Sequence, residues 1–499
     1  MYAPRSLYLA LLCATLAIAG CADSSKLTAP AQSSAATPAE SDAPLAVTTW
    51  PRAVLADFQT VLEAVPATRD PVTSVEWRFA DGTVARGSKV SHSFPTEGRT
   101  NVIVRAVTTS GDVVQRIVSF NVSPSISTLG TVLSGIVPGG LHTCAIDALS
   151  SLYCWGYNGN GTVGDGTRIH RYSPTLVGAG LNFTQVATGV GHSCALDGNG
   201  AAYCWGKNES GQLGDGTTTD RAVPTAVLGG LSFSSIDVGY AHSCALTSTG
   251  AAYCWGIDSL GQLGDGAPAA QQLQPTAVLG GLTFSVIRAG YTHSCALQQT
   301  TGYAYCWGAN STGQVGNGTG GNTNTDRVTT PTAVSGSVSF AQIDIGASHT
   351  CALVSNQNAA NKIYCWGWNG SGQLGVTTTE VCRGTVPCAR SPQKLPSSVK
   401  LVAITAGSTH SCGIISTGDA YCWGSNSNGQ LGDGTTTNHT SPALVPGVQF
   451  KSLRAGRLFS CGVLLDNTAR CWGTNYYGML GLGDTVDRLT PTAVPGLTF

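Results

Sequence analysis

Charged side chains are scarce in this chain of 499 residues, which has 26 Lys and Arg against 27 Asp and Glu. They make up 11% of the residues, where about 25% is usual. With a formal net charge of −1 there is no basic patch to attract nucleic acid or an anionic membrane, so we expect no nucleic-acid partner. Few charges combined with 64 glycines disfavour long surface helices and favour short strands joined by tight turns.

Common catalytic and nucleotide-binding motifs are also missing. The chain has no nucleophile elbow, H-E-x-x-H pair, P-loop or dinucleotide fingerprint in a suitable context. Its glycine-rich stretches fall in predicted hairpin turns rather than between a strand and a helix. We therefore predict that the protein is not an enzyme, and we assign it no catalytic residue, metal or cofactor.

The N-terminal apolar run, Leu7–Ala19, is too short to span a bilayer and is typical of an export signal. It leads into I-A-G-C, which resembles the bacterial lipobox, whose cysteine is diacylated; an ordinary signal peptide with an unrelated cysteine is the alternative. The lipobox resemblance makes residues 1–21 a lipoprotein signal peptide and Cys21 the lipidated residue. It implies a membrane-anchored protein of the bacterial cell envelope, and Ala22 after the cysteine favours the outer membrane or cell surface.

Two further segments precede the main part of the chain. Residues 22–46 are rich in Ala, Ser, Pro and Thr without a periodic apolar pattern, which predicts a disordered tether. Residues 47–123 contain alternating apolar and polar runs separated by turns such as Asp81-Gly82 and Ser110-Gly111. This pattern predicts a small antiparallel Ig-like β-sandwich.

One stretch of this sandwich carries a family pattern. W-R-F-A-D-G from Trp77, followed by S-H-S-F from Ser91, resembles the polycystic-kidney-disease (PKD) Ig-like module. The family's usual turn is W-x-F-G-D-G with an acidic second residue, so Arg78 and Ala80 depart from it. The resemblance implies a spacer or a weak adhesion unit, and we expect a spacer.

What the sequence has in abundance is one repeat. A cysteine, a second cysteine about ten residues later and then a tryptophan occur seven times, and the steps between these tryptophans are 50, 50, 52, 59, 57 and 49 residues. A period of this length is typical of propellers and solenoids. Each unit holds several short β-runs separated by glycine turns. Residues 124–499 are therefore predicted to form a seven-bladed β-propeller of four-stranded antiparallel blades, which makes the fold all-β.

The repeat also has a family resemblance. G-x-x-H-S-x-A-L followed by Y-x-W-G-x-N-x-x-G-Q-L-G-x-G is similar to the regulator-of-chromosome-condensation repeat, whose fold is the seven-bladed propeller. Members of that family serve as a nuclear exchange factor for a small GTPase, a plant ultraviolet-B photoreceptor and a secreted β-lactamase inhibitor. The resemblance therefore implies a fold and leaves the function open.

The cysteines indicate an oxidising compartment. Of 18 cysteines, Cys13 leaves with the signal and Cys21 carries lipid, which leaves an even number for full pairing. Cys244 and Cys254 are equidistant from Thr249 at the predicted hairpin turn, so symmetrical strands bring them within reach of a disulfide. The predicted bridges are Cys144–Cys154, Cys194–Cys204, Cys244–Cys254, Cys295–Cys306, Cys351–Cys365, Cys412–Cys422, Cys461–Cys471 and the aperiodic Cys382–Cys388.

Metal binding is an alternative role for two groups of repeat residues. His242 with Cys244 and Cys254 could begin a zinc site, but the seventh repeat keeps both cysteines and has Phe459 in place of the histidine. The Gly-Asp-Gly turns, as at Asp265, offer one carboxylate each, far short of the roughly six to eight oxygen ligands of calcium. We predict instead that the repeat tryptophans pack in the core and that the repeat histidines are buried groups that link blades: His142, His192, His242, His293, His349 and His410.

Irregular repeats are where binding is expected, because insertions in a propeller map to loops on its binding face. Repeat four is extended after Gly318, repeat five has a longer hairpin, and the Cys382–Cys388 loop follows. A tolerated surface insertion is the alternative. The candidate binding residues are Arg383, Arg390, Asn356, Asn358 and Lys362.

The C-terminal segment from Pro491 resembles the opening strand of a further repeat. Placed beside the first blade, near residues 136–146, it would close the ring and cover both sheet edges. Pro124 precedes His142 by the same 18 residues that separate Pro174 from His192, so a separate opening strand in the first repeat stays an alternative.

These observations favour an exported, membrane-anchored, non-enzymatic protein that presents the propeller, as a monomer, to a protein or glycan partner at the cell envelope. A secreted hydrolase or lyase with a site in the central funnel and a purely structural envelope protein are the alternatives. Clustered carboxylates with perturbed pKa values in the funnel would favour an enzyme. A broad apolar or aromatic patch on one rim would favour binding.

Overall fold

β-Sheets whose strands are antiparallel in all pairs but one make up the regular structure of the described residues. A computed structural model describes residues 45–50, 54–55, 59–66, 71–93, 98–123, 135–178, 180–267, 271–354, 362–396 and 399–499. The elements in these ranges are all β-strands. Among the described residues no helix has the length and apolar character that crossing a bilayer requires.

The N-terminal unit consists of two small sheets. One has the strand order β1-β3-β6 and the other β2-β8-β7-β4-β5, and all pairs are antiparallel except β2 with β8. Trp77, Phe79 and Val104 of the second sheet share one apolar core with Leu62 of the first. The predicted Ig-like sandwich is thus present. Its strands are β1 (Leu45–Trp50), β2 (Val54–Leu55), β3 (Gln59–Pro66), β4 (Val72–Phe79), β5 (Val84–Arg86), β6 (Lys89–Ser93), β7 (Gly98–Thr108) and β8 (Val113–Ser123).

Seven blades follow, and each is an antiparallel sheet that runs from an inner strand at the ring axis to an outer strand. The blade 1 strands are β9 (Ile136–Pro138), β10 (His142–Ile146), β11 (Leu152–Gly156) and β12 (Arg171–Val177). Blade 2 has β13 (Phe183–Thr188), β14 (His192–Asp197), β15 (Ala202–Gly206) and β16 (Arg221–Ala226). Blade 3 has β17 (Phe233–Val238), β18 (His242–Thr247), β19 (Ala252–Gly256) and β20 (Gln272–Ala277). Blade 4 has β21 (Phe284–Ala289), β22 (His293–Gln298), β23 (Ala304–Ala309) and β24 (Arg327–Ala333).

The last three blades carry the irregular features. Blade 5 has β25 (Phe340–Ile345), β26 (His349–Val354), β27 (Ile363–Trp368), β28 (Val381–Cys382) and β29 (Val386–Lys394). Blade 6 has β30 (Leu401–Ala406), β31 (His410–Ile415), β32 (Asp419–Gly424) and the first part of β33 (His439–Ala455). Blade 7 has the second part of β33, then β34 (Phe459–Leu464), β35 (Thr468–Gly473) and β36 (Arg488–Thr498). The four-stranded blades of the prediction are confirmed, with the short strand β28 added at the edge of blade 5.

Blade 3 shows how the repeat dictates a blade. In β17, Phe233 and Ile236 are buried in the same core as Trp255, which has no exposed surface. Gly250 has φ +84°, and its N–H bonds to the Thr247 carbonyl at 2.9 Å, which closes the hairpin between β18 and β19. Glycine is the residue that adopts this left-handed conformation at no steric cost.

The ring has two faces, which differ in the loops that they carry. The upper face carries the turn between the first and second strands of each blade and the long loop between the third and fourth strands. The lower face carries the hairpins between the second and third strands. In blade 3, His242 pairs with Gly256 at the upper end and Leu246 with Ala252 at the lower end.

The predicted ring closure by the C-terminal strand is wrong. β36 pairs with β35 in its own blade, and β9 supplies the first blade with its own inner strand. The P-T-A-V segment is therefore the outer strand that ends a blade, not the strand that opens the next one. Blades 7 and 1 are joined by a hydrogen bond and by apolar packing. Trp155 of blade 1 donates its Nε1–H to the Met479 carbonyl at 3.0 Å, and Ile136 shares a buried cluster with Leu497.

Candidate binding face

The joints between blades are built from one repeated set of hydrogen bonds. Between blades 2 and 3, Trp255 Nε1 and Ser243 Oγ both donate to the Gln212 carbonyl, at 2.9 and 2.8 Å. His192 Nε2 lies 3.0 Å from Ser243 Oγ. Each of the six repeat histidines makes the equivalent contact to a serine or threonine of the next blade. The prediction that the histidines link blades is confirmed.

These histidines are neutral at ordinary pH. All six are fully buried, and burial lowers the pKa of His142 and His242 to about 4. Burial lowers the pKa of His192 to about 3, with a smaller contribution from the neighbouring His242 and His142. Phe459 stands at this position in blade 7, so the repeated hydrogen bond from a histidine is missing between blades 7 and 1. There Thr143 Oγ1 donates to the Met479 carbonyl at 2.7 Å.

A disulfide crosses the middle hairpin of every blade. Cys244 and Cys254 are directly opposite in the strand register, with their Cα atoms 4.1 Å apart. The structure forms the same bridge in the other blades, together with Cys382–Cys388. Sulfur atoms bonded to each other are not thiolate ligands for zinc. Among the described residues, no three His, Cys, Asp or Glu side chains come together in a group that suits a metal.

The ring axis is lined by seven glycines, one from each blade. They are Gly139, Gly189, Gly239, Gly290, Gly346, Gly407 and Gly456. A Cβ on any of them would lie closer than 3.0 Å to the carbonyl of the neighbouring blade's glycine. The channel therefore narrows to a cavity of about 90 Å³, well below the roughly 300–1,000 Å³ of small-molecule sites.

Four charged side chains surround the channel next to this ring; Asp344 is buried and the other three are half-buried. The inner strands of blades 3, 4, 5 and 7 contribute Asp237, Arg288, Asp344 and Arg454. Arg288 Nε lies 3.5 Å from Asp344 Oδ1, and the second oxygen of Asp344 accepts the Ala406 N–H at 2.9 Å. Burial raises the pKa of Asp237, while Arg288 acts in the opposite direction. The Asp237 carboxylate likewise accepts the Ala289 N–H of the next blade at 2.9 Å, so both acids link neighbouring blades and two arginines balance their charge.

The upper face exposes aromatic side chains around this closed channel. Tyr240 is 50% exposed, and its ring centroid lies 5.7 Å from that of Tyr291 at the channel mouth. At the seam between blades 7 and 1, the rings of Tyr157, His170 and Tyr477 lie 5.0 to 5.1 Å apart. We call the set of upper-face aromatic side chains the aromatic rim: Tyr157, His170, Tyr240, Tyr291, Trp368, Tyr476 and Tyr477.

Backbone hydrogen bonds place the aromatic rim on one face. The residue after each Trp-Gly donates its N–H to the carbonyl that precedes the repeat histidine, as Tyr157 does to Leu141 at 2.9 Å and Trp368 to Ser348 at 2.8 Å. Tyr476 is the most exposed member, at 65%. Burial raises the pKa of Tyr291, which keeps its hydroxyl protonated at the channel mouth. The sequence analysis missed this rim, because its members occupy several different repeat positions, each aromatic in only some repeats: Tyr157 and Trp368 follow Trp-Gly, whereas Tyr240 and Tyr291 follow an axis glycine.

The extension of blade 4 and the Cys382–Cys388 loop of blade 5 lie against each other. Arg383 Nη1 donates to Asn324 Oδ1 at 2.8 Å, and Arg390 Nε donates to the Gly320 carbonyl at 2.7 Å. Arg390 also forms an ion pair with Glu380 at 3.3 Å. The two insertions therefore form one composite surface, in which both arginines are used to join the loops.

The remaining candidate residues lie elsewhere. In β27, Trp368 pairs with Cys388 near the upper face, whereas Lys362 precedes the lower end of this strand. Six residues of extended strand separate the two positions by about 20 Å. The structure therefore does not bring Lys362 together with the arginines. Asn356, Asn358 and Cys21 lie outside the described residues.

The comparisons with known proteins agree with this architecture. The profile of the Regulator of chromosome condensation (RCC1) repeat matches residues 150–196, 199–246, 249–297, 301–353, 361–414 and 417–463, more than half of the chain. The Ultraviolet-B receptor UVR8 of Arabidopsis thaliana is 30% identical over 33% of this chain and 35% of its own length. The human probable E3 ubiquitin-protein ligase HERC4 is 31% identical over 32% of this chain and 14% of its own length. The chain thus spans about a third or less of these relatives.

Solved structures show the same fold. Prp20p from Saccharomyces cerevisiae has a TM-score of 0.60 and 22% identity, over 74% of this chain and 89% of that chain. Human WBSCR16 has a TM-score of 0.60 and 19% identity, over 69% of this chain and 94% of that chain. At these identities the likeness concerns the propeller fold alone. The repeat profile, the blade register and the joints between blades lead to one conclusion: the chain belongs to the Regulator of chromosome condensation (RCC1) repeat family.

Proposed function

We propose that the protein is an exported, lipid-anchored, non-enzymatic binding protein that presents the aromatic rim of its propeller to a protein partner. The observation that carries the proposal is the clustering of partly exposed tyrosines on the upper face, at the seam of blades 7 and 1 and at the channel mouth. Tyr and Trp are enriched in protein interfaces and among the residues that dominate binding energy. Charged side chains beside the rim form ion pairs: Lys207 with Glu209 at 2.8 Å and Arg168 with Asp220 at 3.6 Å.

The channel favours binding over catalysis. Its cavity is small, and the carboxylates of Asp237 and Asp344 that surround it are balanced by two arginines. HERC4 shares with this chain only 14% of its own length, so its ligase activity gives no ground for proposing catalysis here. We propose that the composite surface around Arg383 and Arg390 borders the binding face and adds polar contacts.

The N-terminal segments complete the proposal. Lipid on Cys21 would anchor the protein to a membrane, residues 22–46 would act as the tether, and the sandwich in residues 47–123 would be a PKD-like spacer. The disulfides support export, because such bridges persist in an oxidising compartment and are rare in the cytosol. On this proposal the partner is a protein of the bacterial cell envelope, and the propeller binds it as a monomer.

A pull-down with matched variants tests the proposed face. The bait is the chain with Cys21→Ser, so that it is not lipidated, and the prey is an envelope extract. Tyr157→Ala with Tyr477→Ala should reduce capture of the partner about tenfold or more, the scale of losing one interface hot spot. Tyr303→Ala is the control, because Tyr303 is 38% exposed and lies on a lower-face hairpin. Capture that survives the upper-face change, or is lost equally with the control, would exclude the aromatic rim as the binding site.

A glycan partner is distinguished in the same experiment. The envelope extract is treated with glycosidases or with proteases before the pull-down. The treatment that abolishes capture identifies the class of molecule that binds. Loss of capture after protease treatment alone supports a protein partner. Loss after glycosidase treatment alone would contradict the proposal and indicate glycan binding.

A further inference from the structure

The long upper-face loop between the third and fourth strands is organised by one buried amide in blade 2. Asn208 Nδ2 donates to Asp215 Oδ1 at 3.1 Å and to the Thr217 carbonyl at 3.0 Å. Asn208 Oδ1 accepts the Leu213 N–H at 2.9 Å. Six blades have asparagine at this position: Asn158, Asn208, Asn310, Asn369, Asn426 and Asn475.

Blade 3 is the exception, because it has Asp258 there. Asp258 Oδ1 accepts the Leu263 N–H at 2.9 Å, as the asparagine of blade 2 does. Its Oδ2 takes the place of the amide nitrogen and faces Asp265. Asp258 is fully buried, and among the described residues this oxygen has no hydrogen-bond partner. An acceptor thus stands where the loop geometry of the other blades provides a donor.

The positive charge that balances the turn aspartate in blade 2 is also missing from blade 3. Arg221 Nη2 lies 2.6 Å from Asp215 Oδ2 in blade 2. The equivalent residue in blade 3 is Gln272, whose neutral amide donates to Asp265 Oδ2 at 3.0 Å. The blade 2 hydroxyl of Thr217, which donates to Asp215 Oδ1 at 2.8 Å, is replaced by Ala267.

In the part of the blade 3 loop that the structure describes, Asp258 and Asp265 are therefore two facing carboxyl groups without an ion-paired cation. The charged groups that face Asp258 are Asp265 of the same loop and Arg327 of β24 in blade 4. Arg327 Nη1 donates to the Ser259 carbonyl at 3.3 Å rather than to a carboxylate. Two carboxylates at one buried site cannot both ionise without a large electrostatic cost. A proton on one of them would restore the missing donor.

We propose that Asp258 and Asp265 share one proton, which Asp258 Oδ2 donates to Asp265 Oδ1, and that loss of this proton loosens the loop and the joint between blades 3 and 4. This assignment is independent of the proposed binding function. Burial, reinforced by Asp265, raises the pKa of Asp258 to about 7, while Arg327 acts in the opposite direction. Asp258 would therefore lose its proton in the physiological range, unlike an ordinary aspartate.

The position of the loop explains why its protonation affects a blade joint. Gly266 donates its N–H to the Thr329 carbonyl of blade 4 at 3.0 Å. Gly264 lies against the indole of Trp307, since a Cβ added there would be 2.8 Å from Trp307 Nε1. Repulsion between two ionised carboxylates would push on these contacts. The blade 2 loop, which has a neutral amide and an arginine, has no such response.

Hydrogen exchange on the full chain tests the proposal, with Asp258→Asn as the matched variant because it restores the amide of the other six blades. We expect equal protection of peptides over residues 258–267 in the two proteins at about pH 5.5, and exchange about tenfold or more faster in the unsubstituted protein at about pH 8.5, after correction for intrinsic rates. Peptides over the blade 2 loop should show no difference. Equal protection of the 258–267 peptides at both pH values would overturn the proposal.

Two further measurements keep the assignment falsifiable. The infrared band of a protonated carboxyl group should be present below about pH 7, disappear above it, and be absent from the Asp258→Asn variant. Calcium chloride and EDTA are each added at the higher pH. Protection that calcium restores and EDTA removes would overturn the shared proton in favour of a bridging metal ion, whereas no effect of either supports the proton.

Discussion

Acidification should unfold the propeller, because its blade joints bury six neutral imidazoles. Burial depresses the pKa of these histidines from 6.5 to about 3 or 4. An unfolded chain binds protons at these groups below pH 6.5, and the folded ring does not. Their contribution to stability is therefore present above pH 6.5 and is lost as the pH falls toward the folded pKa values.

The size of this effect follows from the number of histidines. Each pH unit below the unfolded pKa costs about 1.4 kcal/mol per histidine, or about 8 kcal/mol for six. At pH 5 the loss is about 12 kcal/mol, comparable with the whole stability of a typical domain at about 5–15 kcal/mol. The contribution of Asp258 to stability has the opposite pH dependence, because it is lost as the pH rises from the unfolded pKa of 3.8 through the folded value of about 7, but it involves one proton. We expect the midpoint of acid unfolding to fall near pH 5.

Urea unfolding between pH 7.5 and 5, followed by the fluorescence of the buried tryptophans, measures this slope. The control copies the joint of blades 7 and 1 into that of blades 3 and 4: His242→Phe with Ser294→Thr. One imidazole fewer should reduce the slope by about 1.4 kcal/mol per pH unit. A free energy of unfolding that stays constant from pH 6.5 to 5, or a slope unchanged in this variant, would refute the reasoning.

Three other changes have defined outcomes. Gly239→Ala places a Cβ 2.6 Å from His242 Cε1 and should destabilise the ring by about 3 kcal/mol in calorimetry. The control is Gly198→Ala, whose Cβ lies in open space and should change stability by under about 1 kcal/mol. Equal effects of the two substitutions would argue against close packing of the axis glycines. Replacing Cys382 and Cys388 by serine should cost about 2 kcal/mol by the loop-entropy relation, and no change in the urea midpoint would contradict that estimate. Cys21→Ser should release the protein from membranes on fractionation, and continued sedimentation with membranes would exclude this anchor.

Much of the fold could be predicted because the repeat itself determines it. The two cysteines flank a symmetrical hairpin, so their opposition in register follows from counting residues around Thr249. The seventh repeat keeps both cysteines but has Phe459 in place of the histidine, which indicates that the cysteines do not need the histidine for their role. Trp255 and its equivalents were predicted to be core residues, and they are fully buried.

The rest depended on relationships that local sequence does not contain. The P-T-A-V segment precedes an inner strand in the chain, yet it pairs with the strand of the preceding Trp-Gly, and only the sheet register shows this. Arg390 was predicted to be a binding residue, but its guanidinium donates to the carbonyl of Gly320, 70 residues earlier in the chain. The aromatic rim arises from scattered positions such as Tyr157, Tyr240 and Tyr477 that the ring brings to one face. Aligning the repeats position by position would have revealed Asp258 among six asparagines.

The central claim is a ring of seven blades in which each blade is closed by its own disulfide. Peptide mapping of the intact protein by mass spectrometry, without reduction, tests it most directly. The account predicts cross-linked peptides that join cysteines only within a blade, with Cys144 bonded to Cys154 and the same pairing in each later repeat, and Cys382 bonded to Cys388. Free thiols at these positions, or bridges that join different blades, would contradict it.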